Sequence, residues 1–186
     1  MKDLEFIEDY LNRFKKSLFE TDVSSEMIKL KEMLLELKQN GRKVIIAGNG
    51  GSAAMASHVS VDFTKQGGIR TVNFNESDLI TCFANDYGFE NWVEKAVEFY
   101  GDNGDLIILI SSSGKSKNMI NAAITAKRMG ILVVTFTGFS SDNSLKKEGV
   151  LNFWIDSKAY NVVENTHQIW LLMVCDLIIG KAEYSA

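Results

Sequence analysis

A chain of 186 residues with a formal net charge of −4 is sized for one domain with a full hydrophobic core, and it carries no general attraction for nucleic acid or an anionic membrane. No uninterrupted apolar run approaches the roughly 20 residues that cross a bilayer. Two cysteines, Cys82 and Cys175, cannot build a disulfide framework and read as buried free thiols, and no signal-peptide core follows Met1-Lys2-Asp3, so the expected compartment is the cytoplasm.

The first elements are helical. Leu4, Ile7, Leu11, Phe14 and Leu18 share one face over residues 3–20, and Met27, Leu30, Met33, Leu34 and Leu37 share one over 25–39, before Gly41 stops the pattern. This predicts a hairpin of two amphipathic helices, a device suited to packing against a partner subunit. Strands and helices then alternate. Strands are expected at 43–47, 69–74, 106–110, 131–136 and 151–155, and helices at 51–65, 77–85, 89–99, 116–129, 141–148 and 162–180. Runs such as Leu106–Ile110 and Ile131–Phe136 are apolar on both faces, the mark of a parallel sheet covered by helices. The predicted fold class is therefore α/β, a three-layer α/β/α sandwich on a five-stranded parallel sheet, with residues 1–186 forming one domain and 1–40 the added hairpin.

Two small-residue loops each follow an apolar strand and open a helix. They are Gly48-Asn49-Gly50-Gly51-Ser52 and Ser111-Ser112-Ser113-Gly114-Lys115-Ser116. Such turns aim backbone N–H groups and hydroxyls at one point, and the helix dipole adds positive charge there, so both read as phosphate cradles. Gly48, Gly50 and Gly51 allow positive φ or close approach, and Ser52, Ser111, Ser113 and Ser116 supply hydroxyls. The Walker A spacing is missing, as is Gly-x-Gly-x-x-Gly after the first strand, so neither ATP nor NAD is expected.

Only two histidines occur, and each has a carboxylate on its own helix face: His58 with Asp62, and His167 with Glu164. His–carboxylate pairs suit proton transfer, and His58, Asp62, Glu164 and His167 together would also suit a zinc ion if the two helices met. In Ala84-Asn85-Asp86-Tyr87-Gly88 a polar residue could face a sugar hydroxyl, or the segment could simply cap a helix.

The run from Gly48-Asn49-Gly50-Gly51-Ser52 to His58 closely resembles the sugar isomerase (SIS) domain, and within it the phosphoheptose isomerases. The resemblance continues through Phe83–Phe89, Ser111–Ser116, Val133–Gly138 and Glu164-Asn165-Thr166-His167, and so covers essentially the whole chain. It implies a homotetramer with active sites at subunit interfaces. It also implies conversion of sedoheptulose 7-phosphate to a heptose 7-phosphate by moving a proton between C1 and C2 through an enediol. Gly50, Gly51, Ser52 and the serine loop Ser111, Ser112, Ser113 and Ser116 would hold the phosphate, while Asn49 and Asp86 match positions near the sugar. No cofactor is required by this chemistry, although some family members bind zinc through the same two helices.

Four positions depart from the family pattern. Its catalytic Glu falls on Asp62, its Gln on Glu164, a nearby Asp on Asn161, and its catalytic His on Leu172. His167 matches a different family histidine. The expected catalytic set is accordingly Asp62, Glu164 and His167. The expected function is an aldose–ketose isomerase of a phosphorylated sugar. The alternatives are a non-catalytic SIS scaffold and an isomerase or epimerase of another sugar phosphate.

Overall fold

The computed structural model describes residues 2–184. Helices α1 (Lys2–Phe19) and α2 (Ser24–Gln39) come first, as expected, but each packs mainly on the last helix rather than on the other as a hairpin. They are followed by β1 (Val44–Gly48), α3 (Gly51–Lys65), β2 (Thr71–Val72), α4 (Ser77–Tyr87), α5 (Trp92–Tyr100), β3 (Leu106–Ser111), α6 (Lys117–Arg128), β4 (Leu132–Thr137), β5 (Leu151–Trp154) and α7 (Tyr160–Ile179).

All strand pairs are parallel, in the order β2-β1-β3-β4-β5. The register sets Gly48 beside Ile110 and Ser111 beside Thr137, so the strand ends lie side by side. Because successive strand residues point to opposite faces, β1 and β3 feed two cores. Ile46, Ile108 and Ile110 join α2, α3 and α7 through Leu34, Val59, Phe63 and Trp170 on one face. Ile45, Ile107 and Leu109 join α5 and α6 through Val97, Met119 and Ala123 on the other.

Two predicted elements shrink. The strand expected at 69–74 pairs over two residues only. The helix expected at 141–148 is a single 3₁₀ turn, Lys146–Glu148. The residues before that turn are Ser140, Ser141, Asp142, Asn143 and Ser144, whose side chains compete for backbone groups and oppose a helix. Asn143 does this inside the protein: it is buried and its amide reaches the Thr137 hydroxyl at 3.1 Å and the Ser140 carbonyl at 2.9 Å.

Helix α7 is long and apolar enough to cross a membrane by length and composition alone. Here it is a core helix, burying Val162, Val163, Thr166, Trp170, Leu171 and Val174 against the sheet. Of the two thiols, Cys175 is buried as expected, whereas Cys82 is exposed on α4.

Candidate functional site: a serine-lined cleft at the strand ends

β1 leads to β2 on one side and β3 lies on its other side, so the chain reverses direction between β1 and β3. A crevice opens at such a switch point, beyond the carboxyl ends of the strands. Both small-residue loops border it. A cavity of about 140 Å³ there is lined by Asn49 and Ser52 from the first loop, Ser111, Ser112, Ser113 and Ser116 from the second, and Tyr160 and Glu164 from α7.

Each loop is braced. Gly50 turns the chain into α3 with φ +54. The Glu164 carboxylate rests against Gly51, in the space a Cβ there would occupy. The carboxylate thus lies at the amino end of α3, where the helix dipole favours negative charge. It also accepts a long hydrogen bond of 3.4 Å from the Ser112 hydroxyl. Asn49 and Asn118 exchange side-chain amide hydrogen bonds of 3.0 and 2.8 Å, which tie the first loop to α6. The Ser111 and Ser116 hydroxyls lie 3.0 Å apart, closing the second loop. Leu145 N–H donates to the Gly114 carbonyl at 3.0 Å, and the buried Asn143 fixes that segment. The cleft therefore presents hydroxyls and two helix amino ends to an anion, and its walls carry no lysine or arginine.

The other predicted residues fall in different places. α3 and α7 do meet: Gln168 Nε2 donates to His58 Nδ1 at 3.0 Å, and His58 Nε2 lies 3.3 Å from Asp62 Oδ2. His58 and Asp62 are thus one unit on the α3–α7 seam. Glu164 is separate from them. It touches Gly51, and Gly51 and Asp62 stand eleven residues apart on α3, about 16 Å of helix. Asp62 and Glu164 do not converge on one atom within a protomer.

His167 is a correction. It is fully buried, with Nε2 donating to the Thr137 carbonyl at 3.1 Å and its ring packed on Phe136 and Trp170. Burial holds its imidazole down at about 3, against a smaller opposing effect of the Thr137 hydrogen bond, so it is neutral at ordinary pH. Three residues on from Glu164, it turns into the core while Glu164 turns into the cleft. The expected catalytic role and the expected quartet of His58, Asp62, Glu164 and His167 therefore lose a member. Among the described residues, no group of three or more His, Cys, Asp or Glu side chains gathers as a metal site. The residues present do not fit the zinc ion that the resemblance implies.

Asp86 is exposed near the end of α4, accepting from Asn85 at 2.8 Å, and is not part of the cavity wall. Asn161 is exposed in the first turn of α7, outside that wall as well. Leu172 lies on an apolar groove along α7 with Ile169, Met173 and Leu177. Sequence reasoning missed Asn118, Asn143, Tyr160 and Gln168. Gln168 alone carried a legible signal, since it follows Glu164 by one helical turn and shares its face.

The SIS domain family model matches residues 6–138. The chain is 34% identical to a phosphoheptose isomerase of Fusobacterium nucleatum, covering 97% of this chain and 94% of that protein. It is 30% identical to one of Sulfurimonas denitrificans, covering 88% and 87%. The fold is similar to the structure of a phosphoheptose isomerase from Francisella tularensis, with a TM-score of 0.89, 23% identity and coverage of 97% and 100%. It is also similar to one from Neisseria gonorrhoeae, with a TM-score of 0.84, 24% identity and coverage of 96% and 97%.

Proposed function

The chain belongs to the SIS domain family, and from that membership we propose that it is an aldose–ketose isomerase of a phosphorylated sugar, interconverting sedoheptulose 7-phosphate and a heptose 7-phosphate. The observation that carries this reading is the serine-lined cleft at the switch point, between two helix amino ends and with the Glu164 carboxylate in its wall. A phosphate monoester suits the hydroxyls of Ser52, Ser111, Ser113 and Ser116. Glu164 suits a neighbouring sugar hydroxyl, because a carboxylate only accepts hydrogen bonds when ionised.

In this reading the open sugar chain runs from the serines along the α3–α7 seam toward His58 and Asp62. Asp62 takes the proton from C1 of the ketose while the carbonyl oxygen O2 takes one from water, giving the enediol; the carboxyl proton then returns at C2 as the O1 hydroxyl gives its proton back to water, completing the aldehyde. Asn49, Asp86 and Asn161 are proposed as further sugar contacts, the last two reaching a site of which a second protomer forms part. The exposed apolar stripe of α1, with Leu4 and Leu11 67% and 61% exposed, supports assembly into a homotetramer.

Proton exchange at C1 of sedoheptulose 7-phosphate in D₂O, followed by NMR, tests the reading. Exchange with appearance of an aldose phosphate is expected. Asp62→Asn should lower kcat by about 10²- to 10⁴-fold with KM little changed, whereas Glu164→Gln should act mainly on KM. Leu172 favours a second reading, a SIS scaffold without turnover, because it puts an alkyl group where the family has an imidazole. Absence of exchange across a panel of ketose phosphates would select it.

A further inference from the structure

The α3–α7 seam lines up three polar side chains: the Gln168 amide donates to His58 Nδ1, and His58 Nε2 lies 3.3 Å from Asp62 Oδ2. The direction of that hydrogen bond follows from the chemistry of the groups. An amide nitrogen only donates, so Nδ1 is the accepting nitrogen, and the ring proton of a neutral imidazole then sits on Nε2. Nδ1 is engaged by the amide and Nε2 carries the proton, so neither offers a free lone pair to a metal ion. One turn beyond Gln168 on α7, position 172 holds a leucine on an apolar groove. The seam thus has one imidazole, supplied from α3, and an amide rather than a cation holding it.

We propose that Gln168 is a positioning residue that fixes the His58 ring in a single tautomer against Asp62, so that the pair works without a metal ion. The role rests on the isomerase reading above. His58 is half exposed, and an i,i+4 contact on a helix surface alone orients a side chain only weakly. A hydrogen bond to the second ring nitrogen is what sets tautomer and orientation. With the Nε2–H edge of the ring kept facing Oδ2 of Asp62, the other carboxylate oxygen has a defined place from which to take a substrate proton.

Only two histidines occur in the chain, so side-chain ¹⁵N NMR resolves both rings in the intact protein. His58 of the wild type should carry its proton on Nε2 and none on Nδ1. Gln168→Glu, whose carboxylate can only accept, should place a proton on Nδ1. Gln168→Leu should lower kcat roughly 10- to 100-fold with KM unchanged, the size of loss seen when an orienting partner is removed. Titration of the wild type with zinc chloride should give no binding that His58→Gln abolishes. A proton on wild-type Nδ1, an unaltered nitrogen pattern in Gln168→Glu, unchanged kcat in Gln168→Leu, or a His58-dependent zinc site would each overturn the proposal. The NMR pattern needs no substrate. If it behaves as stated while no phosphorylated sugar turns over, the isomerase reading fails and the positioning contact stands.

Discussion

His167 donates from Nε2 to the Thr137 carbonyl and leaves Nδ1 without a partner among Phe136 and Trp170. Its imidazole is held at about 3 when folded, against 6.5 for the free group. Between those values the unfolded chain binds a proton that the native protein does not, so stability falls as pH drops below about 6.5. From pH 7 to 5 this one group should remove about 2 kcal/mol, measurable as a shift in the urea midpoint. Replacing His167 by Phe should flatten that pH dependence even if it lowers stability overall. The same burial that makes His167 a structural residue was invisible in the spacing Glu164-x-x-His167. Three residues turn a helix by about 300°, so neighbours on one flank can still divide between a cleft and a core. Gln168, one further residue along, returns to the seam and finds His58.

Among the elements, the segment from Ser140 to Glu148 does most for the site while having the least regular structure. Asn143 bonds the end of β4 at Thr137 and rests against Gly114 of the serine loop, and Lys146 N–H donates to its side-chain oxygen at 2.9 Å. Replacing Asn143 by Ala strands several buried polar groups at once, which should cost about 1–3 kcal/mol. Denaturant unfolding measures the loss, and phosphate affinity should weaken with it, because Leu145 and Gly114 are tied through the same segment. The regular elements were legible because their patterns are long. The alternation of apolar strands with amphipathic helices announced a covered parallel sheet, and the two Gly/Ser loops were read at the right strand ends. The short β2 and the 3₁₀ turn were misjudged because side-chain hydrogen bonding, not periodicity, decides such segments.

At the scale of the whole molecule, α1 lies outside the two cores. It reaches α7 through a buried hydrogen bond of 3.0 Å between Ser17 and Thr166, yet leaves Leu4, Phe6, Ile7 and Leu11 exposed. If that stripe is a subunit contact, Ile7→Lys with Leu11→Lys should yield a smaller species by light scattering than the unaltered chain, with the fold retained by circular dichroism.

By itself the sequence determined the sheet, its covering helices, the two small-residue loops at the strand ends and the family, because each rests on local pattern: period, strand-end glycines and hydroxyls in contiguous runs. What each titratable group does was decided only by tertiary structure. Spacing along α3 and α7 put His58, Asp62, Glu164 and His167 in reach of one another on paper. Packing of α7 against the sheet buried one, set another on the amino end of α3, and left the remaining two paired on the seam. Helix rotation and the depth of a neighbouring layer fix those positions, and neither is written in the residues of a single helix.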